Sequence, residues 1–327
     1  MRFGWIPVVG ALALTSFALL RPAAPAVGSV VDYRFSSPPV SAMGITSLAE
    51  LRGKPVLVDF LGYTLTRLRW GGAAPTVIKH QRELGDDIQV IFVERQGADR
   101  DTYEAFAWKM KWMGNAAMWT DERPFPTTGT GLPETALIGV NGELLLQGHP
   151  GDLGKQLNEA IEAEIKKSKQ APEGAPAELK KAWSLFFKGE IAAALAECDK
   201  LATPEAAETK VQFSARAKAK LERLKRLIDE GYLAEADKLA SELAKSLKGA
   251  AELSTQLAEQ SARIADPSLA NEREASKALD AALDKVALDK PFEPGNVKKI
   301  AALAEKFAGT KSAERAAHFV ALSKRKI

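Results

Sequence analysis

The 327-residue chain offers few starting points for thiol or imidazole chemistry. Cys198 is its only cysteine, which excludes an internal disulfide, a C-x-x-C dithiol and a cysteine-built zinc site. Within an alanine-rich helical stretch over residues 192–201, a lone cysteine reads as a small packed side chain. An intermolecular disulfide is the alternative. His80, His149 and His318 are far apart and fall in different elements. No HExxH, facial triad or Cys/His cluster joins them, so each reads as a surface or packing residue, and no metal or other cofactor is expected. There is no G-x-S-x-G elbow, P-loop or G-x-G-x-x-G turn, so hydrolytic and nucleotide chemistry have no local support. Arg67 and Arg69 flank Leu65 and Leu68, next to Trp70. They suit a carboxylate or an acidic peptide, and a solvated basic turn is the simpler reading.

Charge and composition narrow the field further. With 45 Lys and Arg against 42 Asp and Glu, the net charge is +3, not the basic stripe of a nucleic-acid binder. At 46% hydrophobic and 27% charged, the chain has enough apolar content for buried cores. Residues 3–20 carry no charge, follow Met1-Arg2 and lead into a small-residue stretch ending Ala24-Pro25-Ala26. That order reads as an export signal cleaved near Val27, with an uncleaved membrane anchor as the alternative. The expected location is therefore the periplasm or the extracellular space, with any membrane contact made through this segment alone.

The elements that must position a site follow from periodicity. Eighteen of the 24 glycines lie before residue 155, whereas alanine rises to about a quarter of positions after residue 170. The change marks a turn-rich mixed fold followed by a helical one. Residues 170–176 (QAPEGAP) have the composition of a short linker. The expected division is a signal or anchor at 1–26, a mixed domain at 27–169, the linker, and a helical domain at 177–327. Short apolar runs at 55–60 (PVLVDF), 88–94 (IQVIFVE) and 135–140 (TALIGV) predict buried strands. Asn141-Gly142 then predicts a hairpin into 143–147. Helices are predicted over 76–84, 101–113 and 152–167, for a β-α-β-α-β-β-α order with a right-handed parallel crossover at its start. Trp108 and Trp112, four apart, would share a helix face that packs on the sheet or forms a partner surface, with Lys109 and Lys111 on the wet side.

This order, with "SLAELRGKPVLVDF" at 47–60 and "GLPETALIGVNGELLLQGHPG" at 131–151, resembles the thioredoxin fold in its exported TlpA-like, redoxin-type branch. The resemblance covers residues 30–168. It implies a cis-proline at Pro133, preceded by Leu132, whose backbone in the family pairs with an extended substrate chain. It also implies a C-x-x-C at the helix start after the first strand. Here Leu65 and Leu68 stand in those two positions, so dithiol–disulfide exchange is lost and no catalytic residue is expected. What remains is an implied peptide groove formed by Tyr63, Thr66, Arg67, Trp70, Leu132 and Pro133. Asp59 matches an aspartate that some family members bury beneath the cysteines. Taken without the family, it reads as a strand-end carboxylate answered by water or a lysine. The loop at 123–131 (RPFPTTGTG) runs into Pro133 and is placed to set specificity.

In the helical half, Gly189, Gly231 and Gly309 sit in turns like those between the helices of tetratricopeptide-type repeats. The first two are 42 residues apart rather than 34, so the repeat is degenerate or the region is a plain bundle. The reading that results is an α/β thioredoxin-like domain without its redox site, followed by an all-α repeat-like domain. Together they form an exported protein- or peptide-binding scaffold. The alternative is a thiol-disulfide oxidoreductase relative that uses Cys198 or a partner's thiol.

Overall fold

The computed structural model describes residues 25–62, 74–114, 117–129, 131–287 and 289–326. The expected signal or anchor lies outside them except for residues 25 and 26. Among the described residues no helix is long and apolar enough to cross a membrane.

The first half is built on one five-stranded sheet. Strand β1 (Val56–Leu61) is its centre, followed by helix α1 (Ala74–Leu84), β2 (Gln89–Glu94), α2 (Arg100–Lys109), β3 (Met118–Thr120), β4 (Glu134–Ile138), β5 (Leu144–Gly148) and α3 (Pro150–Ser168). The strand order is β3-β2-β1-β4-β5. β1, β2 and β3 are parallel, and β4 and β5 run antiparallel to their neighbours. Every residue of β1 is buried, because the sheet is covered on both faces. Val56, Val58 and Phe60 join one apolar cluster with Val31, Phe35, Leu48 and Ile91. Leu57 and Leu61 join the other with Val77 and Ile78 of α1, Phe92 and Trp119. The parallel β1–α1–β2 unit followed by the β4–β5 hairpin makes this a thioredoxin-like fold.

Two local expectations are corrected. Periodicity does not predict β3, since three residues are too few to show a period of two. Its register with Ile91, Phe92 and Val93 and a bridge from Trp119 to Val40 define it. Helix α2 ends at Lys109 instead of running to 113, because Lys111 adopts a positive φ of 61°. Trp108 and Trp112 therefore do not share a helix face. Trp112 turns onto the sheet and stacks with Phe92 and Trp119 at 6.3 and 5.8 Å.

The second half is helical among the described residues: α4 (Lys180–Phe187), α5 (Ile191–Asp199), α6 (Pro204–Asp229), α7 (Leu233–Ser246), α8 (Ala251–Ala265), α9 (Ala270–Ala287), α10 (Pro294–Lys306) and α11 (Lys311–Ser323). Gly189 and Gly231 take positive φ between consecutive helices, as residues past a helix C-terminus commonly do. Helix lengths run from 8 to 26 residues, so the hairpins are unequal units. One apolar cluster centres on Trp183, Phe213 and Leu224. The sheet half's own core continues into the rest: Leu279, Val286, Ile300, Phe319 and Leu322 belong to the cluster of Trp108, Trp112 and Trp119. Gly114 shows how close this packing is, since a Cβ there would collide with the Ala287 methyl.

Candidate functional site

The end of the sheet where β1 stops and β4 begins gathers the sequence-predicted residues that are described. The Leu132–Pro133 peptide is cis, as the resemblance implied. Glu134 follows at once and faces Phe60 across the sheet, and Thr135 faces Asp59. Leu132 is half-buried against the apolar cluster of Phe60 and Phe125. Among the described residues, neither its N–H nor its C=O has a backbone partner. Tyr63, Leu65, Thr66, Arg67, Leu68 and Trp70 lie outside the described residues.

Asp59 is a buried acid, as the resemblance implies, and not the strand-end carboxylate met by water or a lysine that the residues alone suggest. It is fully buried, and its Oδ1 accepts a 2.7 Å hydrogen bond from the Thr135 hydroxyl. Its Oδ2 has no partner among the described residues, and no lysine pairs with it. Burial pushes its pKa up to about 7, against the smaller opposing effect of the Thr135 bond. The side chain is therefore poised to exchange a proton near neutrality, and the chain's one thiol, Cys198, lies in the other half of the molecule.

Two carboxylates not singled out from sequence organise the same end of the sheet. Glu134, fully buried, accepts from the Thr128 amide at 2.9 Å, the Thr128 hydroxyl at 2.7 Å and Gln147 Nε2 at 2.6 Å. Gln147 also reaches the Pro126 carbonyl at 3.0 Å. The loop that leads into Pro133 is thus held from beneath by a buried carboxyl group. Glu94, opposite Leu61 at the end of β2, accepts from the amides of Gln96, Gly97 and Ala98 at 2.8–3.1 Å. The available sequence signal is a carboxylate at the end of a buried strand, Glu94 closing β2 and Glu134 opening β4, which is costly there unless it answers buried donors.

The remaining candidates are scattered. Cys198 is buried in α5, in the other half, and burial pushes its thiol pKa up. His149 caps α3 by accepting from the Gly151 amide at 3.1 Å. His80 is half-buried in α1. His318 of α11 pairs with Glu104 of α2 at 2.9 Å. Among the described residues no three His, Cys, Asp or Glu side chains are grouped to hold a metal ion. An open cleft of about 390 Å3 is lined by Glu230, Tyr232, Lys311, Glu314, Arg315 and His318. Its walls largely answer one another: Arg315 stacks on Tyr232 at 3.9 Å and donates to Ser312 Oγ at 3.0 Å.

No protein-family model and no curated protein matches the chain. Solved structures similar to it include a protein described as a thioredoxin from Neisseria meningitidis, at 21% identity and a TM-score of 0.33, covering 43% of this chain and 93% of that one. Another is described as a thiol:disulfide interchange protein DsbE from Chlorobium tepidum, at 23% identity and a TM-score of 0.31, covering 43% and 98%.

Proposed function

We propose that this chain is an exported, redox-inactive thioredoxin-like protein that binds an extended peptide at the Leu132–Pro133 end of its sheet. Its repeat-like helical half presents a surface to a second partner. The observation that carries the reading is that the Leu132 backbone, at the mouth of β4, has no backbone partner among the described residues, beside a loop tied through Thr128 to Glu134. An unpaired N–H and C=O at a sheet end can add a peptide strand, and that pairing needs no sulfur. Tyr63, Thr66, Arg67 and Trp70, which the resemblance implies for the groove, complete this proposal by sequence alone and lie outside the described residues, and Asp59 is the buried acid left without a neighbouring cysteine. The placement of the only cysteine in α5, buried and with a raised pKa, speaks for binding rather than exchange.

Peptide arrays probed with the full chain test the groove. Binding is expected to fall when the peptide's own N–H groups are N-methylated, because strand pairing uses them. Binding insensitive to N-methylation would sink the groove. Insulin reduction is expected to stay at the background rate; activity that disappears in Cys198→Ser would favour the thiol-disulfide oxidoreductase reading instead.

A further inference from the structure

At the end of the sheet that holds Leu132, one basic side chain is left unanswered. Arg95 lies one residue past β2, and its amide donates to the Leu61 carbonyl at 2.9 Å, so the parallel ladder carries on through it. Side chains alternate along a strand, so Arg95 shares the face of Ile91 and Val93. That is the face of Phe60, Phe125 and Leu132. The register fixes its neighbours. Leu61 pairs with Glu94, which sets Arg95 beside Gly62. Phe60 pairs with Glu134, which brings Leu132 toward Gly62 from the other flank. Gly62 puts no side chain between them, and the Gln96 side chain lies where its Cβ would be. Arg95 and Leu132 are therefore two strand spacings apart, roughly 10 Å.

Arg95 is half-buried, and its Nε and Nη1 are shielded from solvent with no hydrogen-bond partner. Among the described residues no carboxylate pairs with it. Those residues include every acidic side chain of the chain, so no other can supply the pair. The acids around it are committed elsewhere. Glu94 turns to the amides of residues 96–98, and Glu134 holds Thr128 and Gln147. The β2–β3 register places Glu122 at the outer flank of Arg95. Glu122 accepts from the Tyr33 hydroxyl at 2.9 Å, the Ser36 amide and hydroxyl at 2.8 Å and the Ser37 amide at 2.7 Å. Asp59 and Asp121 alternate onto the opposite face of the sheet. The chain leaves β1 at this end into residues 63–73, which carry Arg67 and Arg69 and no acid. A guanidinium keeps its proton, so a shielded one keeps both its charge and the cost of that charge until an anion meets it.

We propose that Arg95 receives a carboxylate of the peptide bound at Leu132. This rests on the strand-pairing groove proposed above and adds the chemistry of its occupant. An extended residue spans roughly 3.3 Å, so the carboxylate belongs about three residues from the one that pairs with Leu132. The planar guanidinium offers paired donors that match the two oxygens of a carboxylate, and part of the Arg95 surface stays open to an incoming group. Backbone pairing at Leu132 holds the peptide without regard to its side chains, and Arg95 selects among peptides by charge.

The test is an array of N-acetylated, C-terminally amidated peptides, each made with Glu and with Gln at successive positions and with single N-methylated residues. It is probed with the full chain and with Arg95→Gln. Peptides with Glu about three residues from the N-methyl-sensitive position should bind about tenfold more tightly than their Gln counterparts. In Arg95→Gln that gap should close while the N-methyl sensitivity stays. The Tm of the ligand-free variant should hold or rise, because no hydrogen bond or ion pair is lost. If Arg95→Gln does not fold, Arg95→Lys carries the test: it keeps the charge without the planar fork, so the gap should narrow severalfold. Peptides with a free C-terminus and no acidic side chain separate the two sources of carboxylate. Arg95-dependent gain from the free end points to a chain terminus, and Arg95-dependent gain from Glu in amidated peptides to an acidic side chain; either supports the inference. Equal binding of Glu and Gln peptides and of free and amidated ends, or a preference that survives in Arg95→Gln, would overturn it while N-methyl-sensitive binding left the groove standing. An Arg95-dependent preference indifferent to N-methylation would instead overturn the groove and keep the arginine's role, and no binding of any peptide would overturn both.

Discussion

The two halves of the molecule bury polar groups in different ways. Among the described residues the sheet half buries five carboxylates, Asp59, Glu94, Glu104, Glu134 and Glu164, whereas the helical half buries only hydroxyls, those of Thr209, Ser276, Thr310 and Ser312. The reason lies in where backbone donors are left over. A helix satisfies its own N–H groups except in its first turn, and Thr203 and Thr310 cap α6 and α11 with hydroxyls. A sheet of short strands ends in loops whose amides have no partner nearby. Glu94 answers residues 96–98, Glu134 answers Thr128, and Glu164 answers Val140 at 2.9 Å. Glu104 is the exception that reaches across to the other half, through His318. Asp59 likewise answers no amide among the described residues and holds the Thr135 hydroxyl instead.

The polar contents differ, but the apolar core is shared, and the largest expected effect tests that. Trp108 packs edge-on against Phe319 at 5.0 Å. Trp108→Ala should cost about 3–5 kcal/mol, as for other large-to-small core changes. It should shift circular dichroism and tryptophan fluorescence in one transition. Two separated transitions would show that the halves unfold independently.

Asp59 sharpens the contrast next. Its folded pKa of about 7 lies above its unfolded value, so the folded state holds the extra proton. Its contribution is present in full below the unfolded pKa and is lost as pH rises through about 7. At 1.36 kcal/mol per unit, the loss is on the order of 4 kcal/mol. Asp59→Asn should remove this fall, so that urea midpoints of variant and parent diverge between pH 4 and pH 8. Parallel curves would mean that the carboxylate is solvated.

Glu94→Ala should cost about 1–3 kcal/mol by leaving loop amides unanswered. Hydrogen exchange should accelerate at residues 96–98 and leave the helical half unchanged. The smallest effect is expected at the crossing pair. The hydrogen bond to Glu104 raises the pKa of His318, so its contribution is present below about 6.5 and lost as pH rises through the folded value. The imidazole is partly exposed, so His318→Gln should cost under about 1 kcal/mol at pH 5.5 and nothing measurable at pH 8.5. An equal cost at both pH values would show that packing, not charge, holds the pair.

Much of the sheet half is legible in sequence. PVLVDF, IQVIFVE and TALIGV produced β1, β2 and β4 to within two residues at each end, because apolar run length and Asn-Gly are local signals. β3 escaped because its definition is a pairing, not a pattern. The candidate site was only half legible. Leu132 and Pro133 stood out by motif, and Glu134 did not, because nothing local says that Thr128 and Gln147 converge on it. The apparent partner surface at Trp108 is taken up by the chain's own α11, a pairing with no trace in either segment alone.

The sequence by itself determined that one chain cannot form a dithiol, since a residue count does not depend on folding. It also determined the mixed-then-helical order, because strand and helix periods are written within windows of a few residues. Only the tertiary structure decided that Asp59 is dry and that Glu104 meets His318 across 214 positions. Burial and cross-chain pairing are set by which surfaces close on one another. That choice rests on shape and on long loop closures summed over the whole chain.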